Sequence, residues 1–147
     1  MSSQEVILNN GQQMIVNTDL SKIFVWMNRF ENADYTNSTY DPITLEAGTL
    51  MGRVSATQEI VPLTSGASDG SQVPVGVLNQ TCVIDGGSTV SLAICVAGDV
   101  VESGVILQGS DTMDTVISGR SIRDRIGADT VGIKLVGGTE MTGFDNQ

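Results

Sequence analysis

The side chains able to do chemistry are few in this chain and stand far apart. There is no histidine, which removes the commonest general base and the commonest transition-metal ligand. A serine nucleophile would need a lysine partner, and neither Lys22 nor Lys134 sits in a motif that supplies one. No Gly-x-x-x-x-Gly-Lys-Ser/Thr phosphate loop occurs. The two cysteines, Cys82 and Cys95, lack ligand partners at metal spacing. Asp111 and Asp114 stand in turn or cap contexts, where carboxylates favour local backbone bonds. Asp69-Gly70-Ser71 starts like a calcium loop but lacks the repeated acidic spacing and closing glutamate. The expectation is a protein without catalysis, cofactor or metal.

Charge narrows the partners. Seven Lys and Arg against seventeen Asp and Glu give a net charge of −10. Phosphate contacts need a basic surface, so nucleic-acid binding is not expected. The acidity keeps the chain soluble and discourages promiscuous association. No segment approaches the roughly 18 apolar residues of a membrane span. Residues Met1 to Asn10 lack a basic start followed by an apolar stretch, so no signal peptide is expected and the cytoplasm is the default site of synthesis.

The elements that must carry any binding surface read as strands. At 147 residues and 40% apolar, the chain can form one folded domain. Seventeen glycines against three prolines and few aromatics favour short strands, tight turns and an aliphatic core. Strands are expected over Leu50–Ala56, Glu59–Leu63, Val73–Leu78, Thr81–Ile84, Thr89–Ala97 and Val131–Val136. Pro74 marks a strand start or an edge. Asp85-Gly86-Gly87-Ser88 between two apolar runs predicts a hairpin. In it Val90, Leu92, Ile94 and Val96 share the core face, and Ser91, Ala93, Cys95 and Ala97 the other. That hairpin sets Cys82 opposite Ser91 and leaves Cys95 roughly 14 Å away along the strand, beyond disulfide reach. Two free, buried thiols follow. One short helix is expected over Ser118–Ile126, with Ser118 as N-cap, Ile117 and Ile122 as a staple, and Gly127 ending it. Arg120, Arg123 and Arg125 then form a mostly solvated face, with a grip on an acidic neighbour as the lesser reading.

The first 42 residues hold short apolar anchors between polar spacers. They read either as one or two strands packed on the domain or as an arm that orders on a partner by strand addition. The aromatic segment Ile23, Phe24, Val25 and Trp26, with Tyr35 and Tyr40, is the candidate contact surface. Three segments result: residues 1–42 as an arm, 43–136 as a β-rich domain and 137–147 as a tail.

Within the domain, Leu45-Glu46-Ala47-Gly48-Thr49-Leu50-Met51-Gly52-Arg53-Val54 is followed by Asp69-Gly70-Ser71-Gln72-Val73-Pro74-Val75-Gly76-Val77-Leu78, and later by the Arg120–Val136 segment. In this order and spacing they resemble the lambda-type bacteriophage head decoration proteins. The resemblance implies a mainly β, β-clip-like core and a homotrimer. It implies attachment to the major capsid protein on the outside of the mature head, cementing neighbouring subunits, in a virion assembled in the bacterial host. The long N-terminal stretch, with its Ile23–Trp26 segment, has no counterpart in the family pattern. A trimeric fibre, spike or adhesin module is the alternative from another class. Gly119-Arg120-Ser121 also resembles, as a bare tripeptide, a phosphate motif of the trimeric dUTP pyrophosphatases, whose other motifs are missing.

Overall fold

The computed structural model describes residues 6–9, 13–16 and 23–137, the first two stretches as backbone only. Twelve strands and one helix follow in order: β1 (Val6–Asn9), β2 (Gln13–Val16), β3 (Phe24–Thr36), β4 (Ile43–Leu45), β5 (Leu50–Arg53), β6 (Ile60–Pro62), β7 (Pro74–Leu78), β8 (Thr81–Ile84), β9 (Thr89–Val101), β10 (Val116–Ile117), β11 (Arg120–Ser121), α1 (Ile122–Asp129) and β12 (Gly132–Val136). The fold is mainly β, as the turn-rich, aliphatic sequence predicts.

The main sheet has the order β12-β9-β7-β5-β6, with β3 also laid along β9. Its pairings are antiparallel except β12 on β9. A second sheet has the order β1-β2-β8-β4. Successive residues of the central strands alternate between two cores. Leu50, Val77 and Cys95 belong to one and Met51, Leu78 and Ile94 to the other. Period-two alternation therefore buries both faces of the main sheet here. One face, which includes Ile133 of β12, packs against Ile122 and Ile126 of α1. The other packs against Leu45, Cys82 and Ile84 of the second sheet.

The predicted hairpin around Asp85–Ser88 does not form. β8 pairs with β4 and β2, and β9 pairs with β3, β7 and β12. The chain turns from one sheet into the other. The cause is visible in the apolar residues: Cys82 and Ile84 meet Val90, Leu92, Ile94 and Val96 in one core. Both runs bury the same kind of face, so they stack as layers rather than lie side by side. Cys82 is opposite Leu45, not Ser91. Both cysteines are nevertheless free and buried, and they belong to different cores.

The helix starts later than Ser118. Ser118 and Gly119 both take positive φ, 51° and 86°, and join β10 to β11 as a two-residue turn of the kind that requires such angles. The N-cap is Ser121, whose Oγ accepts from the Asp124 amide. Gly127 lies inside the helix, which runs to Asp129. The arginines are not a solvated face either. Arg123 grips Glu102 with two N–H donors at 2.9 Å and Asp114 at 2.6 Å. Arg125 donates to the Ile117 carbonyl at 2.6 Å and pairs with Asp129 at 2.9 Å. Arg120 alone of the three is exposed without such a partner.

Within residues 1–42, the expected arm, the described strands pair with strands of the domain. β3 pairs with β9 from Phe24↔Val100 to Thr36↔Thr89, and β2 adds to β8. Among the described residues, β2 and β3 are thus paired strands. Residues 1–5, 10–12, 17–22 and the tail from 138 lie outside the described residues.

Candidate functional site

The candidate contact residues separate by burial. Ile23 and Tyr35 belong to the cores. Ile23 packs with Leu50 and Val100, and its carbonyl accepts from the Val101 amide at 2.8 Å. Tyr35 points inward from β3 onto the second core, where burial, and then the nearby Cys82, push its hydroxyl pKa up. Phe24 and Val25 are half-buried, Phe24 stacking edge-to-face on Phe30 with centroids 5.3 Å apart. Trp26 is 65% exposed and Tyr40 fully so. Met27, at 76%, joins Trp26 and was not among the expected residues; as an aliphatic side chain it carried no aromatic signal.

Trp26 and Met27 are exposed because β3 is irregular there. Its register against β9 shifts three times between Phe24 and Phe30, as bulges do when they re-aim side chains. Met27 has φ +50°, which a non-glycine residue adopts only when its surroundings hold it. The hold comes from β9. Gly98 has φ +105°, and a Cβ there would lie 2.6 Å from the Met27 carbonyl oxygen and 2.7 Å from the Asn28 Cα. The Asn28 side-chain amide donates to the Asp99 carbonyl at 3.0 Å, next to the glycine. Absence of a side chain at 98 lets the bulge seat on the sheet.

Tyr40 is presented differently. Asn37 is buried, and its side-chain amide donates to the Ile84 carbonyl at 3.0 Å and the Asp41 carbonyl at 2.9 Å. Its side-chain oxygen accepts from the Thr39 amide at 3.0 Å and the Thr39 hydroxyl at 2.7 Å. All its hydrogen-bonding capacity is used to fold the loop carrying Tyr40 against the β8–β9 turn. The Tyr40 backbone lies so close to Gly86 that a Cβ there would sit 2.2 Å from its carbonyl oxygen.

These two positions lie at opposite ends of the β3–β9 pair. Trp26 is opposite Asp99, whereas Thr36, next to the Tyr40 loop, is opposite Thr89. Ten strand positions separate them, roughly 30 Å. They are two separate exposed positions, not one patch.

Cys82 and Cys95 are buried in different cores, and burial pushes the Cys82 thiol up to about 11. Among the described residues no group of three or more His, Cys, Asp or Glu could hold a metal ion. Among them, too, no helix is long and apolar enough to cross a membrane. Gly119-Arg120-Ser121 serves as a turn, a short strand and a helix cap.

The motif segments are joined in space. A Cβ on Gly52 would lie 2.1 Å from the Ser71 carbonyl oxygen. The Ser55 amide donates to the Asp69 carbonyl at 2.9 Å. The Asp69 carboxylate accepts from the Ser71 amide at 3.0 Å and the Ser71 hydroxyl at 2.6 Å. The Ser71 hydroxyl, then its amide, hold that carboxyl below its ordinary range. Met51 then faces Gly76. The first two motifs thus make one β5–β7 unit, which gives their fixed order and spacing a physical reason.

No curated protein matches the chain. A family model, bacteriophage lambda head decoration protein D, matches residues 35–117, more than half of the sequence. It takes in Leu45–Val54 and Asp69–Leu78, and ends before Arg120–Val136. With its two best motifs locked into one unit at the centre of the main sheet, the chain belongs to the bacteriophage lambda head decoration protein D family.

Proposed function

We propose that the protein binds as trimers to the outer surface of the expanded phage head and cements neighbouring major capsid subunits, without catalysis and without binding nucleic acid or membrane. The match over residues 35–117 carries this reading, since a head decoration family is a structural one located on the virion capsid. The protein is made in the bacterial host cytoplasm and then added to the shell, and its core is β-clip-like. Trp26 and Tyr40, presented at opposite ends of the β3–β9 pair, suit contacts with two different neighbours. The chain preceding Phe24 supplies further attachment by strand addition.

Avidity is the physical logic. A trimer presents three copies of each weak contact to a site of matching symmetry, and linked contacts can raise affinity by roughly 10²–10⁴. A ligand that binds only the expanded shell stabilises that state by mass action.

The test is co-sedimentation of the purified protein with undecorated expanded heads, with mass by light scattering on the free protein. Saturable binding at a multiple of three per site is expected. Trp26→Ala should weaken it by about thirtyfold, the loss typical of an aromatic anchor, and Tyr40→Ala should weaken it independently. Absence of binding to expanded heads would overturn the proposal.

A further inference from the structure

A cavity of about 150 Å³ opens where β7 ends. β7 pairs with β9 at Val77↔Cys95 and Leu78↔Ile94, and the Asn79 amide donates to the Ala93 carbonyl at 2.9 Å. The chain then crosses to β8 in the second sheet, so the β9 edge at Ser91 has lost its β7 neighbour. The gap is floored by Leu78, Leu92 and Cys82 of the second core. Ala93, with its small side chain, stands in the middle: Asn32 lies across from it on β3 and Asn79 beside it on the β7 side. Asn32, Asn79, Gln80 and Ser91 supply the polar wall. Asn32 and Ser91 are exposed and Asn79 and Gln80 half-buried, so the cavity is reached from solvent.

The carboxamides of this wall stand apart from the others in the chain. Asn28, Asn37, Gln58 and Gln72 each bond theirs to a group of the fold. Among the described residues Asn32, Asn79, Gln80 and Gln108 keep theirs free of hydrogen bonds within the chain, and all but Gln108 surround this one cavity. No charged side chain lines it among the described residues. Its occupant is therefore neutral: a carboxylate, phosphate or ammonium group would leave water for a wall without a counter-charge. The occupant also carries several groups that donate and accept, because each carboxamide offers two N–H donors and an acceptor oxygen. A purely apolar molecule would strip water from the wall and return no hydrogen bond, and a single peptide amide would answer only one carboxamide. For scale, roughly 150 Å³ accepts a six-membered ring such as benzene. No aromatic side chain lines the cavity among the described residues, so its aliphatic floor matches the C–H surface of a saturated ring rather than a flat one.

We propose that this cavity is a binding site for a neutral pyranose sugar residue. Ring hydroxyls meet Asn32, Asn79, Gln80 and Ser91, and the C–H face of the ring lies on Leu78 and Leu92 beside Ala93. The site includes neither Trp26 nor Tyr40, so it is a second binding function and not part of the exposed aromatic positions. One such site binds weakly; copies arrayed on a particle bind a polysaccharide by avidity. That use rests on the proposed decoration of the head, whereas the site itself does not.

The test is a proton–nitrogen NMR titration of the full chain, which reads the side-chain NH₂ signals of Asn32, Asn79 and Gln80 directly. The probes are the methyl pyranosides of glucose, galactose, mannose and N-acetylglucosamine, with glucuronate as the charged comparison and benzyl alcohol as the flat-ring one. At least one pyranoside should shift those signals saturably, with Kd on the order of 1 mM for a ligand of roughly a dozen non-hydrogen atoms. Asn32→Ala and Gln80→Ala should each weaken it about fivefold, the loss of one neutral hydrogen bond. Ala93→Leu, which fills the cavity, should abolish it, and Gln108→Ala, which removes the unbonded carboxamide elsewhere, should leave it unchanged. No saturable shift with any pyranoside, equal binding of glucuronate or benzyl alcohol, or pyranoside binding unaltered by both Asn32→Ala and Gln80→Ala would overturn the proposal. Ala93→Leu is read only if its thermal transition is intact; Asn32→Ala and Gln80→Ala, whose side chains bond nothing in the fold, carry the test otherwise. The titration uses free protein and co-sedimentation uses expanded heads, so an empty cavity with intact head binding leaves the decoration reading standing.

Discussion

Gly98→Ala probes whether the bulge that exposes Trp26 is held by the sheet. The new methyl would sit 2.6 to 2.8 Å from three backbone atoms of Met27 and Asn28. Backbone cannot swing aside as a side-chain tip can, so overpacking of about 1–3 kcal/mol is expected. The left-handed φ of +105° adds about 1–2 kcal/mol for a residue with a Cβ. Lower entropy of the unfolded chain returns about 0.4–1 kcal/mol. The balance is a loss of roughly 1–4 kcal/mol, which for a chain of this length lowers Tm by about 2–4 °C per kcal/mol. Urea unfolding measures the loss. Because Trp26 is the only tryptophan, its fluorescence reports the bulge in the same titration. Its emission maximum and quenching should change in the folded baseline as the bulge shifts. A stability within 0.5 kcal/mol of wild type, in the ordinary range for surface changes, with unaltered Trp26 emission, would refute the claim that Gly98 seats the bulge.

Other outcomes follow from the same geometry. Asn37→Ala should cost about 1–3 kcal/mol by chemical denaturation, because the buried Ile84 carbonyl loses its side-chain donor. Cys82 and Cys95 should resist alkylation at pH 8 in the folded protein and react at two thiols per chain in denaturant. Burial raises Cys82 from 9.0 to about 11, so the folded state holds that proton more tightly. The associated stability is complete below pH 9 and falls as pH rises towards 11, with a slope of up to about 1.4 kcal/mol per pH unit. Cys82→Val should flatten that slope in thermal melts across the same range. Glu102 is held below its ordinary 4.5, first by its hydrogen bond from Arg123. Its contribution is present above pH 4.5 and lost as pH falls further, and an acid titration of Arg123→Ala should show that loss reduced.

Strand positions were legible because they rest on local signals. Pro74 starts β7, the turn around Ala56-Thr57-Gln58 joins β5 to β6, and the apolar alternation of Val90 to Val96 lies on one core face. Pairing was not legible in the same way. Asp85-Gly86-Gly87-Ser88 signals a reversal, and a reversal serves equally to join two strands of one sheet or to pass between two layers. Ser118-Gly119 was ambiguous for a like reason: a serine before an apolar residue can cap a helix, and serine-glycine can form a tight hairpin turn.

The contact residues show the same division. Residue type alone made Ile23, Phe24, Val25, Trp26, Tyr35 and Tyr40 candidates, because aromatic and apolar side chains serve equally as core and as anchor. Composition by itself determined an acidic, histidine-free, glycine-rich β protein, and its motif order determined the family. Only the tertiary structure decided which aromatics stay outside. Tyr35 points into a core completed by the second sheet, while Trp26 is turned out by a bulge that depends on Gly98, 72 residues away in sequence. Side-chain exposure is a property of what lies across from a residue, and strand pairing brings those partners together from distant parts of the chain.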